Sequence, residues 1–197
     1  MVGCSGSTTT NRTVTPPTIV APSTTEPAST PPPIDHVLNE THDPGHVTGS
    51  LTGLECHILG HDPSTWMPDP SCTPGSIDPS IDAAVLCAPG YTTRSYRAPP
   101  SETTKFKYEQ AYPAYGIDKS IKSELDHLVS LELGGSNSAL NLWPEPGPLP
   151  NPKDAVENKL HKWVCDGGPG VAQGRLEAAQ KAVANDWTTA EQVLGVS

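Results

Sequence analysis

Four cysteines spread along the chain, Cys56, Cys72, Cys87 and Cys165, constrain it most, because the residues around the first three are poor core formers. Stretches such as "DPSTWMPDPSCTPG" and "CAPGYTTRSYRAPP" are full of turn residues and hold little apolar surface to bury. With 23 prolines, 17 glycines and a single phenylalanine, Phe106, the chain must wrap irregular structure on a small core. None of the four cysteines forms the CxxC pair of a zinc ribbon or redox centre. Two disulfides are therefore expected, each worth roughly 2–4 kcal/mol, and the spacing leaves all three pairings open.

The chain begins "MVGCSGSTTTNRTVTPPTIVAPSTTEPASTPPP". Val2-Gly3-Cys4 before a Ser/Thr/Pro tract resembles the end of a bacterial lipoprotein signal, in which the cysteine carries the lipid. On that resemblance, residues 1–33 are a lipobox-like start and an extended stalk. The protein is then extracytoplasmic, secreted or held at the outer membrane leaflet by a lipid anchor on Cys4. Residues 34–100 read as a loop-rich, cysteine-containing segment packing on the core, and 101–197 as the organised domain. Twelve basic against 22 acidic residues give a net charge of −10, which excludes long-range attraction to nucleic acid. Any chemistry on DNA or RNA must rest on a local site.

Within 101–197, "KFKYEQAYPAYGI" predicts a short helix or turn broken by Pro113 and Gly116. "SELDHLVSLEL" alternates as a strand should, with Leu125, His127, Val129 and Leu131 on one face. Gly134 to Asn137 turns the chain, and Asn141-Leu142-Trp143 is short enough for a second strand before Pro144. "NPKDAVENKLHKWVC" is the clearest helix: Asn151 suits the N-cap and Pro152 the first helical position. Val156, Leu160, Trp163 and Val164 form its apolar stripe, while Asp154, Glu157, Asn158 and His161 share a polar one. A further helix from about Leu176 to Trp187 buries Leu176, Ala179, Val183 and Trp187. Thr188 and Glu191 match a capping box for a last turn.

The order strand, loop, strand, helix, with Asp126-His127 in front, Asn141 in the middle and His161 on the helix, resembles the HNH endonucleases. The phrases "CTPG", "ELDHLVSLELGGSN", "NLWPEP" and "KDAVENKLHKWVC" are similar to exported actinobacterial proteins carrying that unit. The resemblance implies an α+β fold: a small ββα-metal unit with an additional C-terminal helix and disulfide-braced loops. It implies metal-dependent phosphodiester hydrolysis of DNA or RNA, of low sequence specificity, since no helix-turn-helix, zinc finger or basic arm is present.

Within that resemblance His127 is the general base, its ordinary pKa suiting proton abstraction near neutrality. Asn141 orients His127 or ties the loop to the strand. Asp126 and His161 hold one divalent cation, Mg²⁺, Mn²⁺, Ni²⁺ or Zn²⁺, with Asn158, one turn earlier, as a rival ligand and Glu157 as a further candidate. Arg94, Arg97, Lys159 and Lys162 are available to phosphates. Consecutive strand residues point to opposite faces, so Asp126 and His127 can share a site only where the strand ends or bulges. The alternative is a non-catalytic envelope or metal-binding module that keeps the fold.

Overall fold

A computed structural model describes residue 1 and residues 37–40, 45–147 and 149–196. Cys4 and the stalk lie outside the described residues. The described residues from Val37 onward form one compact unit. Among the described residues no helix is long and apolar enough to cross a membrane.

The structure is α+β. Short strands β1 (Leu38–Asn39), β2 (Ile58–Leu59), β3 (Met67–Pro68) and β4 (Ser76–Ile77) precede a short helix, α1 (Ala83–Leu86). β1 pairs with β4 in parallel and β2 with β3 antiparallel. Cys56–Cys72 and Cys87–Cys165 are the disulfides, selecting one of the three pairings that the spacing allowed. The first closes a turn within the loop-rich segment, and the second ties the end of α1 to the long helix described below. Both are compatible with an oxidising, extracytoplasmic setting.

Helix α2 (Pro100–Phe106) continues through a wide π turn over Lys107–Ala111 into α3 (Tyr112–Ala114). The break expected at Pro113 does not occur there. Pro113 directly follows the π segment, whose wider turn accommodates the ring, and the chain turns away at Gly116.

Strands β5 (Ser123–His127) and β6 (Leu142–Pro146) form an antiparallel pair in unbroken register, from Ser123 opposite Pro146 to His127 opposite Leu142. Pro144 and Pro146 are tolerated because each strand of a two-stranded sheet has a free edge. Helix α4 (Pro152–Asp166) follows, then α5 (Ala172–Asp186) and α6 (Ala190–Leu194). Asn151 caps α4 as expected, its Oδ1 accepting from the Asp154 N–H at 3.2 Å. The predicted capping box before α6 is absent. Thr188 instead donates its hydroxyl to Asp186, and Glu191 pairs with Lys159.

β5 stops at His127, earlier than the alternation in "SELDHLVSLEL" implied. Asn141 explains the stop. Its Nδ2 donates to the Val129 and Ser136 carbonyls at 2.9 and 3.0 Å, and its Oδ1 accepts from the N–H of Val129 at 2.8 Å and of Ser76 at 3.3 Å. One fully buried side chain thus does what a partner strand would have done, and the next residues, Leu131–Leu133, tighten into a 3₁₀ turn. Leu128 then enters an apolar cluster with Leu51, Phe106, Leu142 and Trp143, while Val129 enters another with Leu160, Val164, Leu176 and Trp187.

The same turn fixes Gly135. A Cβ there would stand 1.7 Å from the Val129 carbonyl oxygen and 2.9 Å from Asn141 Nδ2. Both are parts of the Asn141 clasp, so neither can yield cheaply. Gly135→Ala should destabilise the domain by about 3 kcal/mol, at the upper end of overpacking costs, as read by urea denaturation. A loss under about 0.5 kcal/mol would show that the clasp is not rigid.

Candidate functional site

His127, the last residue of β5, is almost fully buried at 3 % exposure. Asn137, from the turn between the strands, fixes it. The Asn137 Nδ2 donates to the Tyr96 carbonyl at 2.6 Å, which sets the amide's orientation. Its Oδ1 then faces the Ala98 N–H at 3.2 Å and His127 Nε2 at 3.0 Å. An amide oxygen can only accept, so this network assigns the proton of neutral His127 to Nε2 and the lone pair to Nδ1. Burial, reinforced by Arg97, lowers the His127 pKa to about 4, which keeps the ring neutral but makes it a weaker base than the ordinary imidazole expected from the sequence. Arg97 itself is exposed and lies between Tyr96 and Ala98, the two residues that Asn137 holds.

Asp126 leaves the strand on the other face, as expected without a bulge. That face is acidic. Glu124 and Asp126 on β5 stand opposite Glu145 and Trp143 on β6, and α4 lays Lys153 and Glu157 against them. The Lys153 side chain is 1 % exposed, and its Nζ donates to Asp126 Oδ2 at 2.8 Å, to the His127 carbonyl at 2.7 Å and to Glu157 Oε1. All three ammonium protons are used. Burial opposes this charge, but the Asp126 and Glu157 carboxylates outweigh it and raise the Lys153 pKa. Lys153 thereby joins the two faces, holding a side chain on one and the backbone of His127 on the other.

Glu145 is the unusual member. It is 2 % exposed, and neither carboxylate oxygen meets a hydrogen-bond donor, although the Asp126 carboxyl is close enough to share a proton with it. Burial, then the neighbouring Asp126 charge, pushes its pKa up to about 9, against the pull of Lys153. An acid whose folded pKa is raised binds more protons folded than unfolded between about pH 4.5 and 9, so stability falls as pH rises through that window. Glu145→Gln should remove that slope. With chelator present, we expect the variant to be more stable than the parent by about 3 kcal/mol at pH 7 and by little below pH 4.5. Equal urea midpoints at pH 7 would contradict this picture of Glu145.

The residues anticipated from sequence divide accordingly. His127 and Asp126 adjoin at the strand end, and Asn141 holds the loop to the strand rather than orienting His127, a task that falls to Asn137. His161 does not join Asp126. Its Nδ1 bonds the Glu132 carbonyl at 2.8 Å, its Nε2 lies 4.0 Å from the Cys165 sulfur, and its ring stacks on Tyr91. The i+8 spacing from Lys153 carries His161 two turns along α4, past the Asp126 contact, toward the Cys87–Cys165 disulfide. Asn158 is exposed and donates to the Asp154 carbonyl. Among the described residues, no three His, Cys, Asp or Glu side chains form a cluster that could hold a metal.

Asn137, Lys153 and Glu145 were not singled out by sequence reasoning. The signals present were a polar residue closing a Gly-Gly turn and a lysine in the first turn of a helix, where the dipole disfavours a cation. No family model matches the chain, and no curated protein or solved structure matches it.

Proposed function

We propose that this protein is an HNH-type endonuclease that hydrolyses phosphodiester bonds of DNA or RNA outside the cytoplasm. The observation that carries the reading is His127: a buried, neutral imidazole at a strand end, its Nε2–H committed to Asn137 and its Nδ1 left as the basic nitrogen. A ring so held can deprotonate a water without first losing a proton of its own. Arg97, exposed on the segment clasped by Asn137, would meet a phosphate oxygen in this reading. The net charge of −10 makes substrate affinity modest and its salt dependence shallow.

The resemblance also implies a divalent cation, which when bound would neutralise charge on the phosphate. Asp126 with His161 does not fit that role, since His161 is engaged elsewhere. Asp126 with Glu145, which meets no hydrogen-bond donor, does fit, as two hard oxygen ligands on one sheet face. A second reading, a non-catalytic module, is favoured by the internal use of Asp126 by Lys153 and of His161 by Glu132.

Incubation of supercoiled plasmid with the purified, disulfide-intact protein and Mg²⁺, Mn²⁺, Ni²⁺ or Zn²⁺ separates the two. Hydrolysis predicts nicked and linear products in at least one metal. Plasmid and single-stranded RNA left intact in all four would support the non-catalytic module.

A further inference from the structure

The acidic face of the β5–β6 pair carries more negative charge than its buried cation balances. Glu124, Asp126, Glu145 and Glu157 gather there, and among the described residues Lys153 is the ammonium that reaches them. Lys153 spends its donors on Asp126, Glu157 and the His127 carbonyl, so none reaches Glu145. Glu145 is left with both oxygens buried and without a hydrogen-bond donor, and the Asp126 carboxyl is close enough to bond it through a shared proton. A carboxylate removed from water must find a proton, a donor or a cation, because the unpaired ion costs several kcal/mol. It stands diagonally across the strand pair from Asp126, on the same face, and the Asp126 side chain keeps 12 % exposure through which an ion could enter.

We propose that Asp126 and Glu145 together bind one hard divalent cation of the Mg²⁺ or Mn²⁺ class. Both donors are carboxylate oxygens, which suit these ions, and two carboxylates with water completing the shell is a common Mg²⁺ arrangement. Neither a sulfur nor an imidazole belongs to the set, which disfavours Zn²⁺. The nearby Lys153 ammonium lowers affinity but also holds Asp126 Oδ2 in place, orienting its carboxylate. The inference deepens the hydrolysis reading and rests on it only for the use made of the ion.

The test is Mn²⁺ titration of the full, oxidised chain by calorimetry, with Tb³⁺ luminescence excited through tryptophan as a second readout. Trp143, opposite Asp126 in the sheet, is well placed as the sensitiser. The parent should bind one Mn²⁺ per chain, displaceable by Mg²⁺. Glu145→Gln and Asp126→Asn should weaken it at least about tenfold, since each replaces one of two anionic ligands with a neutral amide oxygen. His161→Ala should bind as the parent does. Glu145→Gln is nearly isosteric and relieves a buried charge, so a folding defect does not confound it; matching circular dichroism confirms this. No binding by the parent would overturn the proposal and leave Glu145 sharing a proton with Asp126, and so would undiminished binding by Glu145→Gln. Glu145-dependent binding without plasmid cleavage keeps the cation site and removes the hydrolysis reading, whereas cleavage without such binding does the reverse.

Discussion

Lys153→Met should be among the most damaging single substitutions in the protein, costing about 3–5 kcal/mol of stability. Methionine fills a similar volume, so packing is largely kept and the loss is electrostatic. The ammonium it replaces is buried and bonds Asp126, the His127 carbonyl and Glu157. Without it Asp126, Glu145 and Glu157 face one another with no buried countercharge. The melting temperature should fall by roughly 10 °C for a domain of this size. Glu157 already has its pKa raised to about 7 by burial, with Lys153 opposing, and the variant removes that opposition. Acidification should therefore rescue Lys153→Met, because protonated carboxyls no longer need the ammonium. Urea denaturation at pH 7 and pH 5 reads both effects, and a loss below about 1 kcal/mol at pH 7 would mean that the carboxylates find water when Lys153 is gone.

Much of this was legible in the sequence where local chemistry decides structure. Asn151 and Pro152 mark the start of α4 because capping and a fixed φ act within one turn, and the buried stripe Leu176, Ala179, Val183, Trp187 follows from helical period alone. The end of β5 was not legible. Strand alternation continues past His127, and what stops it is the Asn141 side chain arriving from across the turn, a contact between residues twelve apart. The same holds for the site. His127 and Asp126 stand out by type and adjacency, whereas Asn137 acts through a segment forty-one residues away, at Tyr96. Lys153 reads as a surface charge until β5 is laid under the first turn of α4. For His161, sharing the polar stripe of α4 says nothing about height along it, and eight residues separate it from the turn that meets Asp126.

The two faces of β5 give the reading its sharpest exposure. If the strand end is a catalytic centre, the ring held by Asn137 is its base, and everything else, from the acidic face to Arg97, serves the phosphate. Asn137→Ala should then lower the rate without changing cation binding, because it frees the ring while leaving Asp126 and Glu145 untouched. The central measurement is the plasmid-cleavage rate of His127→Ala against the parent in the same metal, with folding checked by circular dichroism. Loss of a general base predicts a fall of about 10²–10⁴-fold. Cleavage by His127→Ala at the parental rate would contradict the account and move the protein to the non-catalytic reading or its chemistry to another site.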